Sequence, residues 1–481
     1  MFEHAGHQPP LIIDLDRTML KTDTLIEQFL ILLIRAPHLA LRALLSLRHG
    51  KAAFKAAIVD HAPINVDALA VNQLLLSYLQ QQLSAGRELH LVTAADQRIA
   101  DAVSQRLGIF RSATGTNRDH NLKGIHKRDY LISAFPSGFS YAGDSTADIP
   151  IWKAAKSAVL VGVKARTRRT VEALNCTIEA DIEGSDRSLK QWIRLMRVHQ
   201  WSKNVLIFVP LFLSHRYYDI HTVMMCVLCF AAMSIMASGT YIINDIVDVS
   251  ADRQHRTKRF RPIAHGDIDA GAASVTAGSM IAAGLFFVAN LSIPVFILFI
   301  VYLLTTIAYS FLLKRMVMVD VLVLASLYTL RVLIGVVIIG DQLSHWLLMF
   351  AFFFFFSLSL AKRHVEIVNA ASRNGPDSSI LNRGYKTGDA PLTLATGVST
   401  NIASITVLSL YVATDIYPAA LYNHPEWLWG VVSMVLIWST RIWLLAHRGE
   451  LNDDPVSFAL RDPASLAIGF VTASFFALSI V

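Results

Sequence analysis

From Val205 to its last residue the chain consists of long apolar runs broken by short polar stretches, and nothing constrains its fold more. About 20 apolar residues in a helix, rising about 1.5 Å each, cross the roughly 30 Å of bilayer hydrocarbon. Lipid offers no hydrogen-bond partners, so a backbone inside it must satisfy itself, as a helix does. Nine such runs are expected near 199–214, 222–243, 271–290, 292–312, 318–339, 343–361, 391–414, 427–446 and 463–481. The first is short and opens on polar residues. Basic residues follow the second, fourth, sixth and eighth runs: Arg253 to Arg261, Lys314 with Arg315, Lys362 to Lys386, and His447 to Arg461. The alternate loops carry only Arg216. Loops rich in Lys and Arg stay inside, so the N-terminal part is expected in the cytoplasm. The C-terminus is then expected outside, which requires an odd number of spans.

The apolar character is uneven. Hydrophobic residues make up 54% of the 481 and charged residues 16%, too apolar a mix for an ordinary soluble protein. Yet residues up to about 190 mix charge and apolarity as a soluble domain does. Domains are therefore expected at 1–188 and 189–481. Three cysteines, Cys176, Cys226 and Cys229, exclude a disulfide framework or a four-cysteine zinc site. The net charge of +7 is what basic loops give a membrane protein, and no nucleic-acid partner is inferred from it. Met1 to Pro10 is polar, with no signal peptide visible.

At the cytoplasmic end of the second run stand Asn244, Asp245, Asp248 and Asp252. On a helix their i,i+3 and i,i+4 spacings turn the oxygens to one face. Acids at a membrane boundary are costly unless a cation or a functional cavity compensates them. Oxygen ligands suit Mg²⁺, which commonly bridges a few carboxylates to substrate phosphates. Arg256, Lys258, Arg259 and Arg261 follow directly, as residues that clamp remaining phosphate charge. The alternative is a capped helix end beside an ordinary basic loop.

In the N-terminal part, Leu11-Ile-Ile-Asp14-Leu-Asp16 is an apolar strand running into two acids, and Leu89 to Val92 ends at Thr93. Lys127 precedes Tyr141-Ala-Gly143-Asp144, with Asp148 four residues on. Strand tips of this kind form the ligand crevice of a parallel α/β sheet. The set resembles the haloacid dehalogenase (HAD) superfamily, over roughly 10–185. The resemblance implies Asp14 as nucleophile, Asp16 as general acid/base, Thr93 and Lys127 as phosphate binders, and Mg²⁺ on Asp14, Asp16 and Asp144 with Asp148 in support. Arg17 stands where the family has Gly, and Lys123 competes with Lys127 for the lysine role. Segment 25–85 reads as a small helical cap, though its run Ile26–Ile34 also suits a membrane-contacting helix.

With its NDxxDxxxD motif, the part from about 190 onward resembles the UbiA superfamily of intramembrane prenyltransferases. That implies an all-α polytopic fold of nine helices around a cavity, following the α/β, Rossmannoid HAD-like domain. The second Asp-rich motif of that family is missing; Tyr309, Lys314 and Asp320 stand there instead. These residues, with His199-Gln-Trp-Ser-Lys203-Asn204, the run Asp252 to Ala264, and Ala361-Lys362-Arg363-His-Val-Glu366, are similar to the decaprenyl-phosphate phosphoribosyltransferase branch. The resemblance implies phosphoribosyl diphosphate (PRPP) as donor, polyprenyl phosphate as acceptor and Mg²⁺ as cofactor. Three phosphate groups need many cations, and Lys203, Arg256, Lys258, Arg259, Arg261, Lys314, Lys362 and Arg363 supply them; Asp320 is a further candidate metal ligand. His199 and His255 read as structural or phosphate contacts, and Tyr309 and Tyr385 equally as phosphate donors or interface aromatics. A prenyl transfer to an aromatic or tetrapyrrole ring is the competing enzyme reading, and a transporter carrying a phosphatase the competing reading of another class. Chain length of the lipid, the substrate of the HAD-like part and oligomeric state stay open.

Overall fold

The computed structural model describes residues 8–481 except 63–64, 118–120, 175, 185–187, 341–343, 376–377, 381–382, 420 and 452–454. The first residues of the polar N-terminus thus lie outside the described ones. The chain divides into two compact units, Met1–Met196 with Tyr241–Ala277, and Arg197–Thr240 with Gly278–Val481.

The first unit is built on six strands: β1 (Leu11–Ile13), β2 (Leu89–Asp96), β3 (Ser112–Thr116), β4 (Ser140–Gly143), β5 (Ser157–Val161) and β6 (Thr177–Ile182). Their order is β3-β2-β1-β4-β5-β6, and every pairing is parallel. Parallel sheets are covered on both faces and draw on near-continuous apolar runs. Accordingly Leu11 and Ile13 join one core with Leu89 and Leu91, while Ile12 joins the other with Tyr141, Trp152 and Leu160. Strand order reverses beside β1, so the tips of β1 and β4 border the crevice where such sheets bind ligands.

Between β1 and β2 come α1 (Thr24–Arg35), α2 (Pro37–Leu45), α3 (Lys51–His61) and α4 (Gln73–Ser84). Asp23 caps α1 through the Ile26 amide, 3.1 Å away. Pro37 stops α1 from continuing and starts α2. Gly50, at φ +99°, allows the turn into α3. After β2 follow α5 (Gln97–Leu107) and, after β3, α6 (Ile125–Ala134). The polar segment between the runs at 220–247 and 270–289 belongs to this same unit. Arg253 forms a two-pronged ion pair with Glu27 of α1 at 2.6 and 2.8 Å, both side chains buried.

Among the described residues, eight helices are long and apolar enough to cross a membrane: Ile220–Val247, Ala270–Ala289, Ile293–Phe311, Val319–Ile339, His345–Ser372, Thr387–Ile416, Pro425–His447 and Pro463–Ile480. The ninth expected span, 199–214, is not one long α-helix. Val198–Phe208 winds as a 3₁₀ helix and only Val209–Leu213 is α-helical, with polar residues in its first half and Pro210 at the junction. The run expected to end at 361 is also corrected. The helix from His345 continues to Asn374, because no breaker occurs before Gly375, so Lys362 and Arg363 are helical. In the second unit this helix packs most extensively along Ala390–Tyr411. Gly397 makes that approach close, since a Cβ there would run into the Trp443 ring, and its carbonyl accepts from Ser357 at 2.8 Å.

Candidate active sites

In the first unit, β1 and β4 deliver three carboxylates to one place. Oxygens of Asp14, Asp144 and Asp148 lie within 4.8 Å of one another. Lys127, buried on α6, reaches Asp14 Oδ1 at 2.8 Å and donates to the Tyr141 hydroxyl at 2.7 Å. That hydroxyl donates to Asp148 Oδ1 at 3.0 Å. Asp148 Oδ2 in turn accepts from the Ser145 amide at 3.1 Å, so Asp148 shapes the loop that presents Asp144. Gly143 is required beneath it, since a Cβ would come 2.8 Å from Asp148 Oδ2. Burial first, then Asp148 and Asp14, push the Asp144 carboxyl up to about 7.

Thr93 is buried in β2 and caps its own turn by accepting from the Ala95 amide at 3.0 Å. Lys127, not Lys123, is the lysine brought to Asp14. Lys123 instead lines a cavity of about 310 Å³ with Asp16, Lys51 and Lys55. Asp16 stands outside the carboxylate triad, because its Oδ1 accepts from the Thr24 amide at 2.9 Å. Burial, then Asp23, push Asp16 up to about 7, while burial brings Lys55 down to about 8. Arg17, in the Gly position, has φ +60° and so adopts the backbone that Gly favours. It is held by Asp269 at 3.1 Å.

A second acidic group lies in the same unit. The helix Ile220–Val247 ends and a short one resumes at Val249, with Asp248 between them. Asp245 and Asp252, both buried, share one guanidinium nitrogen of Arg261 at 3.0 and 2.6 Å. Asn244 donates to Asp248 at 3.3 Å. Among the described residues these acids do not gather into a triad as Asp14, Asp144 and Asp148 do, because Arg261 stands between two of them. Burial raises the Asp252 carboxyl and Arg261 opposes it. Arg256, Lys258 and Arg259 are exposed on the following turn. The Nδ1 of His255 accepts from the Thr257 amide at 3.3 Å.

In the second unit, Asp320 is fully buried. Arg363 reaches it at 2.7 Å, and the Tyr385 hydroxyl donates to it at 2.7 Å. Arg363 also pairs with Glu366. The expected phosphate binder and metal ligand are thus paired with each other, as a buried charge demands. Arg383 joins them, donating to the Tyr309 hydroxyl at 3.0 Å, and Lys314 is buried nearby in sequence on a single 3₁₀ turn. Lys203 and Lys362 line one small cavity with Tyr328 and Ser359. Asn204 is structural: it donates to Ser234 at 2.9 Å and accepts from Arg331 at 2.8 Å. Arg331 and Arg383 were not among the candidate site residues. An arginine inside an apolar run, which must find a buried partner, was the available signal for the former.

Three relatives frame these observations. Over 470 residues, 98% of this chain and 91% of the relative, it is 42% identical to the uncharacterized protein y4nM of Sinorhizobium fredii. It is 29% identical to the nodulation protein NoeC of Azorhizobium caulinodans over 56% of this chain and 87% of that protein. To the decaprenyl-phosphate phosphoribosyltransferase of Corynebacterium glutamicum it is 36% identical, over 37% of this chain and 54% of that enzyme. The profile of the UbiA prenyltransferase family matches residues 205–461, more than half of the sequence. The chain, a multi-pass membrane protein, belongs to the UbiA prenyltransferase family.

Proposed function

We propose that the protein transfers 5-phosphoribose from PRPP to a polyprenyl phosphate, with the transferase part at 189–481. The observation that carries this reading is the surplus of cations over what one diphosphate needs, in a chain similar to the decaprenyl-phosphate phosphoribosyltransferases. Exposed Arg256, Lys258 and Arg259 in the first unit suit the donor's diphosphate. Lys203 and Lys362 on one cavity of the second unit suit a phosphate, while Arg363 is engaged with Asp320 and Tyr309 with Arg383. The donor set Asp245, Asp248, Asp252 and Asn244 is all oxygen and fits Mg²⁺, and Arg261 already occupies the position of a counter-charge between two of the acids. Bound there, Mg²⁺ would stabilise the departing diphosphate. The lipid phosphate is anionic at neutral pH, so it attacks the anomeric carbon without a base while the bond to diphosphate breaks. The Lys/Arg asymmetry supports a cytoplasmic position for the basic loops and the N-terminal part. With the C-terminus outside, 198–213 also crosses; 3₁₀ winding gives this short segment a reach of about 30 Å.

The test is product formation from radiolabelled PRPP and polyprenyl phosphate in membranes holding the full chain. Turnover of prenyl diphosphates onto an aromatic acceptor, with none from PRPP, would replace this reading with the competing one.

A second activity is favoured by the Asp14, Asp144 and Asp148 cluster: phosphomonoester hydrolysis of the HAD type. The three carboxylates fit Mg²⁺, which would offset the repulsion between Asp14 and a phosphate. Asp14 attacks phosphorus, the bond to the leaving alcohol breaks, and Asp16, whose carboxyl burial lifts to about 7, gives that alcohol its proton. Water then attacks the aspartyl phosphate with Asp16 as base, releasing phosphate. The 5-phosphate of the lipid-linked product is the substrate suggested by the fusion. Phosphate release by wild type and not by Asp14→Asn tests it; equal release from both removes this cluster from the chemistry.

A further inference from the structure

Residues 28–59 contain no Asp or Glu, yet carry Arg35, Arg42, Arg48, Lys51 and Lys55. The structure folds this stretch into the α1–α3 cap, where Leu32, Ala40, Ala43 and Ile58 form a small core of their own. Five leucines are left outside this core. Leu33, Leu41, Leu44, Leu45 and Leu47 are exposed, Leu41 to 61%, and Arg42 and Arg48 stand exposed among them. A run of exposed leucines is costly in water. Leucines interleaved with cations and free of acids match the boundary between acyl chains and anionic headgroups.

Two further observations point to a bilayer as the occupant of this face. Ile26 of α1 packs on Gly271, whose added Cβ would lie 3.2 Å from Ile26 Cγ2, and Gly271 is in the first turn of the membrane-crossing helix Ala270–Ala289. The cap is thereby held, within the first unit, at the start of a span. In addition, Leu47 and Lys51 belong both to the exposed turn and to the wall of the 310 Å³ cavity that ends on Asp16.

We infer that the Pro37–Lys51 turn of the cap lies in the surface of an anionic bilayer and opens the Asp16 cavity to phosphomonoesters carried on lipids. The part concerning substrate rests on the phosphatase reading above; the part concerning the bilayer does not. Phe54, Leu25 and Leu47 line the cavity beside Lys51, Lys55 and Lys123, so it accepts an apolar portion next to anionic groups.

The full-length protein is reconstituted in nanodiscs containing anionic lipid, with an environment-sensitive fluorophore on Leu41→Cys or Leu44→Cys. Ile132→Cys on α6, 49% exposed, is the control. The three native cysteines are buried and are replaced beforehand. Lipid-borne spin labels should quench positions 41 and 44 several-fold more than position 132. Quenching equal to the control overturns the inference. Disulfide-linked dimers of unlabelled Leu44→Cys, with an unquenched probe at position 41 of the other variant, overturn it too, and assign the face to a second copy. For the substrate, Leu41→Asp with Leu44→Asp should lower hydrolysis of a lipid phosphomonoester in the nanodisc about tenfold while changing p-nitrophenyl phosphate hydrolysis less than twofold. Equal loss on both substrates contradicts selection of lipid-borne phosphates. If wild type and Asp14→Asn hydrolyse neither substrate differently, the phosphatase reading fails while the quenching result still decides the bilayer contact.

Discussion

Two groups of aspartates in the first unit handle mutual repulsion in different ways. At the strand tips, Asp14, Asp144 and Asp148 gather within 4.8 Å and meet one ammonium, Lys127, from the side. In the segment after Ile220–Val247, Asp245 and Asp252 are bridged by a guanidinium, Arg261, which stands between them. The first arrangement leaves excess negative charge in a buried place, and Asp144 responds by holding its proton up to about 7. The second is partly neutralised in advance, so a cation or phosphate arriving there has to displace Arg261 or recruit it. An acid pair bridged by a guanidinium is a site with an internal competitor; three acids met by one ammonium are a site in want of a further cation.

The sharpest way to break the comparison is to cut each cluster and read both activities. Asp245→Ala and Asp248→Ala should each lower phosphoribosyl transfer by about 100-fold or more, the scale of losing a main electrostatic group. Asp14→Asn should leave transfer within about twofold by the same scale. Loss of transfer in the Asp14 variant would mean that the clusters serve one reaction. Next in size, Lys127→Met should reduce phosphate release about 100-fold and Lys123→Met only a few-fold, since only Lys127 touches Asp14. Comparable losses in steady-state assays would put the cavity lysine in the chemistry.

Removing the internal competitor sharpens the contrast further. Arg261→Ala leaves two buried carboxylates facing each other. Breaking a fully buried pair costs about 3–5 kcal/mol, and Arg261 is itself partly exposed, so a loss of about 2 kcal/mol is expected. Millimolar Mg²⁺ should recover most of it in thermal unfolding of the detergent-solubilised protein. An unfolding midpoint indifferent to Mg²⁺ in the variant would argue that these acids are structural. The smallest effect is expected at Arg17→Gly. Glycine relieves a left-handed backbone at about 1 kcal/mol, while the exposed pair with Asp269 contributes about as much. A net change beyond about 1 kcal/mol in either direction would show that one of these terms is misjudged.

Hydropathy made the eight long helices legible, because lipid imposes length and apolarity together. It misjudged 199–214, where run length alone does not tell α from 3₁₀ winding, and it ended the run at 343–361 a dozen residues early because polarity was taken for a loop. Asp14 and Asp144 were readable as acids at strand tips, and a lysine for them was implied by the HAD resemblance without deciding between Lys123 and Lys127. The choice between Lys123 and Lys127 needed three dimensions, since both flank the same turn. The Arg253–Glu27 pair was not readable, because its partners are 226 residues apart and each is unremarkable in its own surroundings. The same is true of Asp320 with Tyr385, 65 residues apart.

That discontinuity of the first unit has a consequence for how the protein is made. Its sheet is complete in the chain by Ile182, but its last portion, Tyr241–Ala277, begins about 45 residues after Met196 and ends about 80 residues after it. At ribosomal rates of about 5–20 residues per second, that is on the order of ten seconds of waiting. During that interval the nascent α/β fold holds Glu27 without the guanidinium that later buries with it. The intervening helix has meanwhile to be handed to the insertion machinery. Synthesis thus orders three events: sheet formation, delivery of the first long apolar helix to the membrane, and then closure of the unit by Arg253. A chain stalled before residue 253 is expected to be a ready substrate for proteases that survey half-finished membrane proteins.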